Sequence, residues 1–246
     1  MNKENKKLLV LGVHTDDCEY GIGGASKLLA DKGWEVEFFN FCPYKFSPNP
    51  ESDIIKSKEA AMILGATKIA EKPENKDWWY ATPEHSKRIE EEILRFKPDV
   101  IFMQWFKDNH IEHVESAKAA INAIFGASVK GARPEEVYAY ETGPMQTMPY
   151  FQPDIYINIT NVKKHIDNAL EHFGLPDGEA LIKEKEICSR YRGWASRRKS
   201  FEYAECLKII RFPRESNDFL LRQALGDDFS WCSPGKYCYG QKYLFE

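Results

Sequence analysis

An apolar run over residues 8–13 ends abruptly in His14-Thr15-Asp16-Asp17-Cys18-Glu19-Tyr20-Gly21-Ile22-Gly23-Gly24. The run reads as a short buried β-strand, and the Gly23-Gly24 pair reads as the opening of a helix. A strand that feeds directly into a helix, repeated along a chain, leads to a parallel sheet with right-handed crossovers. Ligands in such open sheets bind beyond the carboxyl ends of the strands. A histidine and two adjacent carboxylates at that place therefore make a candidate metal site. Imidazole nitrogen and carboxylate oxygen are ordinary ligands for catalytic zinc. Adjacent aspartates permit a division of labour, one holding the metal and the other facing water as a base.

The alternation continues through the chain. Strands are expected over 7–13, 35–41, 67–70, 99–103 and 136–141, with a further one at 155–159. Helices are expected over 24–32, 54–64, 83–96, 112–125, 161–171 and 181–198. Ser52 or Asp53 would serve as cap of the second helix. The fold class is α/β, a Rossmann-like, mostly parallel sheet flanked by helices. One catalytic domain spans 1–246, with a helical and aromatic-rich C-terminal extension from about 212 to 246. Three segments leave strand ends on the side of the metal motif. Residues 41–53 hold Pro43, Pro48 and Pro50, 72–83 hold Trp78, Trp79 and Tyr80, and 141–153 hold Gly143, Met145, Met148 and Tyr150. Such loops shape a pocket or pin themselves to the core.

At 246 residues, 43% of them hydrophobic, the chain can bury one sizeable core. A net charge of -4 gives no basic field for nucleic acid. The cluster 190–199 is a local exception that could meet an anionic group, although such runs are more often exposed helix faces. No stretch approaches a membrane span. The polar start does not read as a secretory leader. Six cysteines without a Cys-x-x-Cys pair suit reduced thiols. A cytoplasmic location is expected on these grounds. Cys18 is expected to point into the core, and Cys232 and Cys238 are the best placed of the six to pair.

A second cluster, Lys107-Asp108-Asn109-His110-Ile111-Glu112-His113, follows the expected strand at 99–103 and precedes a helix-like run. Singly, Asp-Asp, His-x-x-His and Gly-x-Gly-Gly are weak signals; their order, each at a strand end, carries the reading. Together these motifs resemble the LmbE/PIG-L family of zinc-dependent amide hydrolases and deacetylases. That family carries His-Pro-Asp-Asp-x-Glu and a Gly-rich turn after its first strand, then His-x-Asp-His. Here Thr15 replaces the proline of the first motif, and Glu112 replaces the aspartate of the second. The resemblance implies that His14, Asp17 and His113 bind the metal and that Asp16 is the general base. It also implies that His110 assists the tetrahedral transition state. Glu112 is implied to orient a neighbouring histidine, and Glu19 to be a structural partner within the motif.

Downstream, Ser189-Arg190-Tyr191-Arg192-Gly193 is followed by Tyr203-Ala204-Glu205. Many family members close their catalytic domain this way, and the resemblance makes Tyr203 a candidate assistant at the oxyanion; its other reading is a half-buried helix tyrosine. One family feature is missing. The helix ending in Ala61-Met62-Ile63-Leu64-Gly65 lacks the usual substrate-binding arginine, and an ungapped reading puts Asp53 in its place. Lys56 and Lys58 are the nearest cations. The residues that bind the substrate's outer part are therefore unknown from sequence. The implied function is zinc-dependent (or other divalent metal) hydrolysis of a C–N amide bond, removing an N-acetyl group from a sugar-like small molecule. The alternatives are an amidase for a thiol-sugar conjugate and a non-catalytic metal- or sugar-binding module. Nucleic-acid partners are not expected, and homo-oligomerisation is left open.

Overall fold

The computed structural model describes residues 5–41, 49–71, 79–143, 151–173, 177–211 and 219–232. The strands are β1 (Lys7–Gly12), β2 (Glu35–Asn40), β3 (Thr67–Ala70), β4 (Val100–Gln104), β5 (Glu136–Tyr140), β6 (Ile155–Asn158), β7 (Ala204–Arg211) and β8 (Phe229–Trp231). The helices are α1 (Asp17–Asp31), α2 (Pro50–Ile63), α3 (Pro83–Phe96), α4 (Ile111–Val129), α5 (Lys163–Glu171), α6 (Asp177–Ala195) and α7 (Leu220–Leu225). The strands form one sheet in the order β3-β2-β1-β4-β5-β7-β6-β8. From β3 to β5 every pairing is parallel. From β5 to β8 every pairing is antiparallel. Chain order reverses direction at β1, which lies between β2 and β4. That reversal opens a crevice at the carboxyl ends of β1 and β4, where such sheets bind ligands.

Both faces of the sheet are covered. Along β1, Leu8 and Val10 enter one core, with α1, α2 and α5. Leu9 and Leu11 enter the other, with α3 and α4. Burial on both faces is why this strand is continuously apolar rather than alternating.

Helix α1 begins at Asp17, seven residues before the expected start at Gly24. It contains a kink at Ile22, whose φ and ψ are -142° and 22°. A kink frees backbone N–H groups that the preceding turn would otherwise bind. The Glu205 carboxylate, from β7, accepts two of them, Gly24 N–H at 2.9 Å and Ala25 N–H at 2.8 Å. Lys185 pairs with the same carboxylate at 2.7 Å. Gly21 and Gly24 are required by close approach. A β-carbon would lie 2.4 Å from the Tyr140 ring at Gly21 and 2.6 Å from Ile159 at Gly24.

Other boundaries match the sequence reading within a few residues, and α3 matches at both ends. Helix α2 starts earlier than expected, because Asn49 rather than Ser52 or Asp53 caps it. Asn49 accepts the Ser52 N–H at 3.2 Å, with Pro50 in the first turn. Strand β7 lies beyond the strands that the sequence pattern marks. Arg192 of the basic cluster turns inward, 4% exposed, and its Nε donates to Glu141 at 2.7 Å. It is an internal ion pair, not an anion receptor. Cys18 is fully buried, and Cys18, Cys188, Cys206 and Cys232 are free thiols. No helix among the described residues is long and apolar enough to cross a membrane. Expectations concerning Pro43, Pro48, Trp78, Met145, Met148, Tyr150, Cys238 and the end of the aromatic tail lie outside the described residues. Trp79 is pinned in the core against Phe41 and His85.

Glu205 is 2% exposed. Glu205→Ala would leave Lys185 buried and two helix N–H groups unpaired. Unfolding in urea should show a loss of about 3–5 kcal/mol, the range for breaking a buried pair from one side. Glu205→Gln should lose less, since its amide oxygen can still accept one N–H.

Candidate metal centre

His14 lies just beyond β1, and Asp17 opens α1. The Asp17 side chain turns back, and its Oδ2 accepts the N–H groups of Val13 (2.9 Å) and His14 (2.6 Å). Those bonds fix the strand-to-helix turn. His110 and His113 come from the N-terminus of α4, after β4. Since β1 and β4 are adjacent, the two motifs meet.

His14 Nε2 donates to Glu112 Oε2 at 2.7 Å. His113 Nδ1 donates to Asp108 Oδ2 at 2.7 Å. Each imidazole thus has one nitrogen tied to a carboxylate, which leaves the other nitrogen as the potential ligand. The two remaining nitrogens, His14 Nδ1 and His113 Nε2, face each other at 3.2 Å. Asp17 completes a triangle, with Oδ2 3.5 Å from His14 Nδ1 and Oδ1 3.3 Å from His113 Nε2. Ligands about 2.0–2.2 Å from a tetrahedral zinc ion lie roughly 3.3–3.5 Å apart. The donor set therefore fits such an ion in both chemistry and spacing. One ring nitrogen from each of His14, His110 and His113 also lies within 4.8 Å of the others, so His110 is an alternative third donor.

The electrostatics favour a cation. Burial opposes charge on His14, yet Asp17 and Glu112 raise its pKa to about 10. Burial likewise opposes charge on His113, which Asp17 and Asp108 raise to about 9. Burial works against the Glu112 carboxylate, but His14 and the Trp79 N–H hold it down at about 2. Asp17 is held well below the usual carboxylate range by His113 and His14, despite its burial. Burial and then the Asp17 charge push Asp16 upward.

His110 differs from the other two. Burial, then the neighbouring His113 and His14, lower its pKa. Its Nδ1 accepts the Glu112 N–H at 3.3 Å, as the N-cap of α4. A neutral His110 therefore carries its proton on Nε2. Its ring stacks on His113, with centroids 4.5 Å apart.

His14, Asp16, Asp17, His110 and His113 line one cavity of about 150 Å³, together with Tyr20, Thr142, Leu181 and Glu184. Glu19 points away from it and is held by Lys68 at 2.7 Å, both side chains fully buried. Burial raises Glu19 to about 7, with Lys68 opposing. Tyr203 does not reach the cavity. It precedes β7 and stands against α6, where its hydroxyl donates to Glu186 at 3.0 Å and Arg190 packs on its ring. The tyrosine on the cavity wall is Tyr20. The sequence reading gave no role to Asp108 or Thr142. Asp108 also accepts the His110 N–H at 2.7 Å and the Thr142 hydroxyl at 2.6 Å. Its place in a strand-end turn beside two histidines was the available signal. Asp53 lines an adjoining cavity of about 250 Å³ that shares Asp16, Leu181 and Glu184 with the first.

No family model matches the chain. Solved structures do. The 4-carboxy-2-hydroxymuconate hydratase GalB of Pseudomonas putida is 22% identical, over 87% of this chain and 99% of that one, with a TM-score of 0.74. The N,N'-diacetylchitobiose deacetylase of Pyrococcus horikoshii is 19% identical over 84% of each chain, with a TM-score of 0.67. The zinc-inhibited form of teicoplanin deacetylase Orf2 is 12% identical, over 87% of this chain and 100% of that one, with a TM-score of 0.62. The chain shares the fold of these enzymes. That fold agrees with the motif resemblance to the LmbE/PIG-L family.

Removing one of the carboxylates that tie the imidazoles should loosen a metal without abolishing it. Asp108→Asn and Glu112→Gln should each weaken zinc binding about 10–100-fold. Competition with a chromophoric chelator measures this directly. His113→Ala should remove stoichiometric binding altogether, and unaltered metal content in that variant would take His113 out of the site.

Proposed function

We propose that the chain is a metal-dependent amide hydrolase of the LmbE/PIG-L type, acting on an N-acetylated, sugar-like small molecule. The observation that carries this reading is the convergence of His14 Nδ1, Asp17 and His113 Nε2 at 3.2–3.5 Å in a lined cavity. These three residues would hold one divalent ion, zinc by donor chemistry. Such an ion supplies Lewis acidity and makes hydroxide accessible near neutral pH.

The chain's own residues account for the proton movements. Asp16 lines the cavity beside the donor set, and burial raises its pKa, the direction that suits a carboxylate taking up and returning a proton. It removes the proton of the attacking water as oxygen adds to the acyl carbon. It then returns that proton to the amine nitrogen as the C–N bond breaks, so a carboxylic acid and an amine leave. His110 Nε2–H, fixed by the bond to its Nδ1, is the donor for the developing oxyanion. Removing a donor of this kind typically costs about 2.7–4 kcal/mol in barrier. Tyr203 has no part in this scheme.

The hydratase of the same fold supports a second reading, in which the activated water adds to a C=C bond. Its named substrate carries carboxylates, whereas carboxylates line the cavity next to this centre. Repulsion favours the amide reading.

The test is acetate release from a panel of N-acetyl sugars, including N,N'-diacetylchitobiose. The protein is loaded with one equivalent of zinc and compared with its chelated form. One equivalent keeps free zinc low, a precaution because one neighbour of this fold is described in a zinc-inhibited form. Asp16→Asn should retain zinc and lose about 10²–10⁴-fold in turnover. Near-normal turnover in that variant would assign the base elsewhere. Metal-dependent binding of the panel without any acid release would favour the non-catalytic module.

A further inference from the structure

Lys68 is a buried cation to which the proposed chemistry gives no part. It lies on β3, in register with Phe38 of β2, and its Nζ packs over that ring at 5.9 Å. Phe38 belongs to the core that α1 and α2 cover, so an apolar residue would be the ordinary occupant of this position. The Lys68 side chain is fully buried, and so is that of Glu19, 2.7 Å away. Stability alone does not require such a pair, because apolar residues of similar volume often serve as well or better. What an apolar residue cannot do is hold a carbonyl. The ammonium group carries three N–H donors. They reach both oxygens of Glu19, at 2.7 and 2.9 Å, and the backbone carbonyl of Thr15.

Thr15 directly precedes Asp16, the base of the proposed hydrolysis. Among the described residues no other residue donates a hydrogen bond to the Asp16 carboxylate, so the backbone of the turn decides where it stands. Three side chains hold that backbone. Asp17 accepts the N–H groups of Val13 and His14. Asn40, at the end of β2, donates to the carbonyl of His14. Lys68 donates to the carbonyl of Thr15, which belongs to the Thr15–Asp16 peptide itself. The first two therefore restrain the metal-ligand part of the turn, and Lys68 restrains the part that carries the base. A proline at position 15, as in the resembling family, would fix its own φ. Thr15 does not, and the bond from Lys68 restrains the same peptide from the side of the sheet.

We infer that Lys68 is a positioning residue for Asp16, holding the Thr15–Asp16 peptide so that the carboxylate faces the metal-bound side of the cavity. This rests on the proposed hydrolase reading in that Asp16 is the base. Lys68 touches neither substrate nor metal ligand and acts through the turn. Glu19 balances the buried charge that the bond to Thr15 brings with it.

Two variants of the zinc-loaded full chain separate positioning from structural support. Glu19→Gln breaks the ion pair and leaves Lys68 its bond to Thr15. Lys68→Met combined with Glu19→Met removes that bond together with both charges, and should unfold in urea near the wild-type midpoint. Where the paired Met variant folds poorly, Lys68→Gln with Glu19→Gln takes its place with the same expectations. A structural role makes Glu19→Gln the more damaging change, and a positioning role makes it the milder one. Hydrogen exchange at the Tyr20 N–H is the readout that needs no substrate, because that group donates to the Asp16 carbonyl at 2.8 Å. In the paired variant it should exchange about tenfold faster than in the wild type, as a locally loosened turn does. Zinc affinity should stay within about threefold, since no zinc ligand loses a partner. On the panel amide that the wild type cleaves best, kcat should fall about 10²-fold, the cost of a base misplaced by about 1 Å, with KM little changed. In Glu19→Gln the exchange rate and kcat should both stay within about threefold of wild type. Wild-type exchange and kcat in the paired variant, or an equal loss in Glu19→Gln, overturns the inference. If the wild type cleaves no panel amide, the hydrolase reading fails, and the exchange rates alone decide whether Lys68 holds the Asp16 turn.

Discussion

Two imidazole nitrogens, His14 Nδ1 and His113 Nε2, face each other across 3.2 Å, and the rest of the site follows from that contact. Two lone pairs, or two N–H groups, at this distance repel. The arrangement is stable only with positive charge between or upon the rings. The surroundings are built to demand it, since Asp17 sits against both rings while Glu112 and Asp108 each take one outer nitrogen. Protons satisfy that demand in part, and a divalent ion would satisfy it with better geometry.

The fold supplies this contact by adjacency of β1 and β4 at the point where strand order reverses. Backbone groups then do much of the positioning. Val13 and His14 N–H groups hold Asp17, the Trp79 N–H holds Glu112, and the His110 N–H holds Asp108. The carboxylates that orient the imidazoles are thus themselves oriented, and no long flexible side chain intervenes. On the far side of α1, Glu205 closes the kink that lets the motif turn and the helix body point in different directions. A distant strand therefore fixes the angle at which the first motif is presented.

Much of this was legible in the sequence where the signal was local. The apolar run before His14, the paired aspartates and the His110–His113 spacing point from sequence alone to the same residues that the fold brings together. The parallel half of the sheet was also visible, because its central strands β1 and β4 are compact apolar runs and the others are short segments rich in β-branched and aromatic residues between helix-like stretches. What was missed depended on partners far along the chain. The start of α1 was placed too late, since Glu205, 181 residues from Gly24, stabilises a break that the glycines only suggest. Strand β7 was not seen because its residues, Ala-Glu-Cys-Leu-Lys-Ile-Ile-Arg, do not alternate cleanly and pair out of chain order. Of the two readings of Tyr203, candidate assistant or half-buried tyrosine, the structure favours the second, since the entry to β7 turns it toward α6 and Tyr20 lines the cavity. Asp108 was in view and went unassigned, because nothing in a lone aspartate tells which of two nearby histidines it will meet.

The central claim is that two imidazoles and one carboxylate, not three imidazoles, form the metal site. X-ray absorption at the zinc edge of the protein loaded with one equivalent tests it most directly. The spectrum should show two imidazole nitrogens at about 2.0–2.1 Å, the remaining neighbours being oxygens at about 2.0–2.2 Å. The same imidazole count should persist in His110→Ala. A third imidazole that disappears in His110→Ala, or a sulfur neighbour at about 2.3 Å, would contradict it.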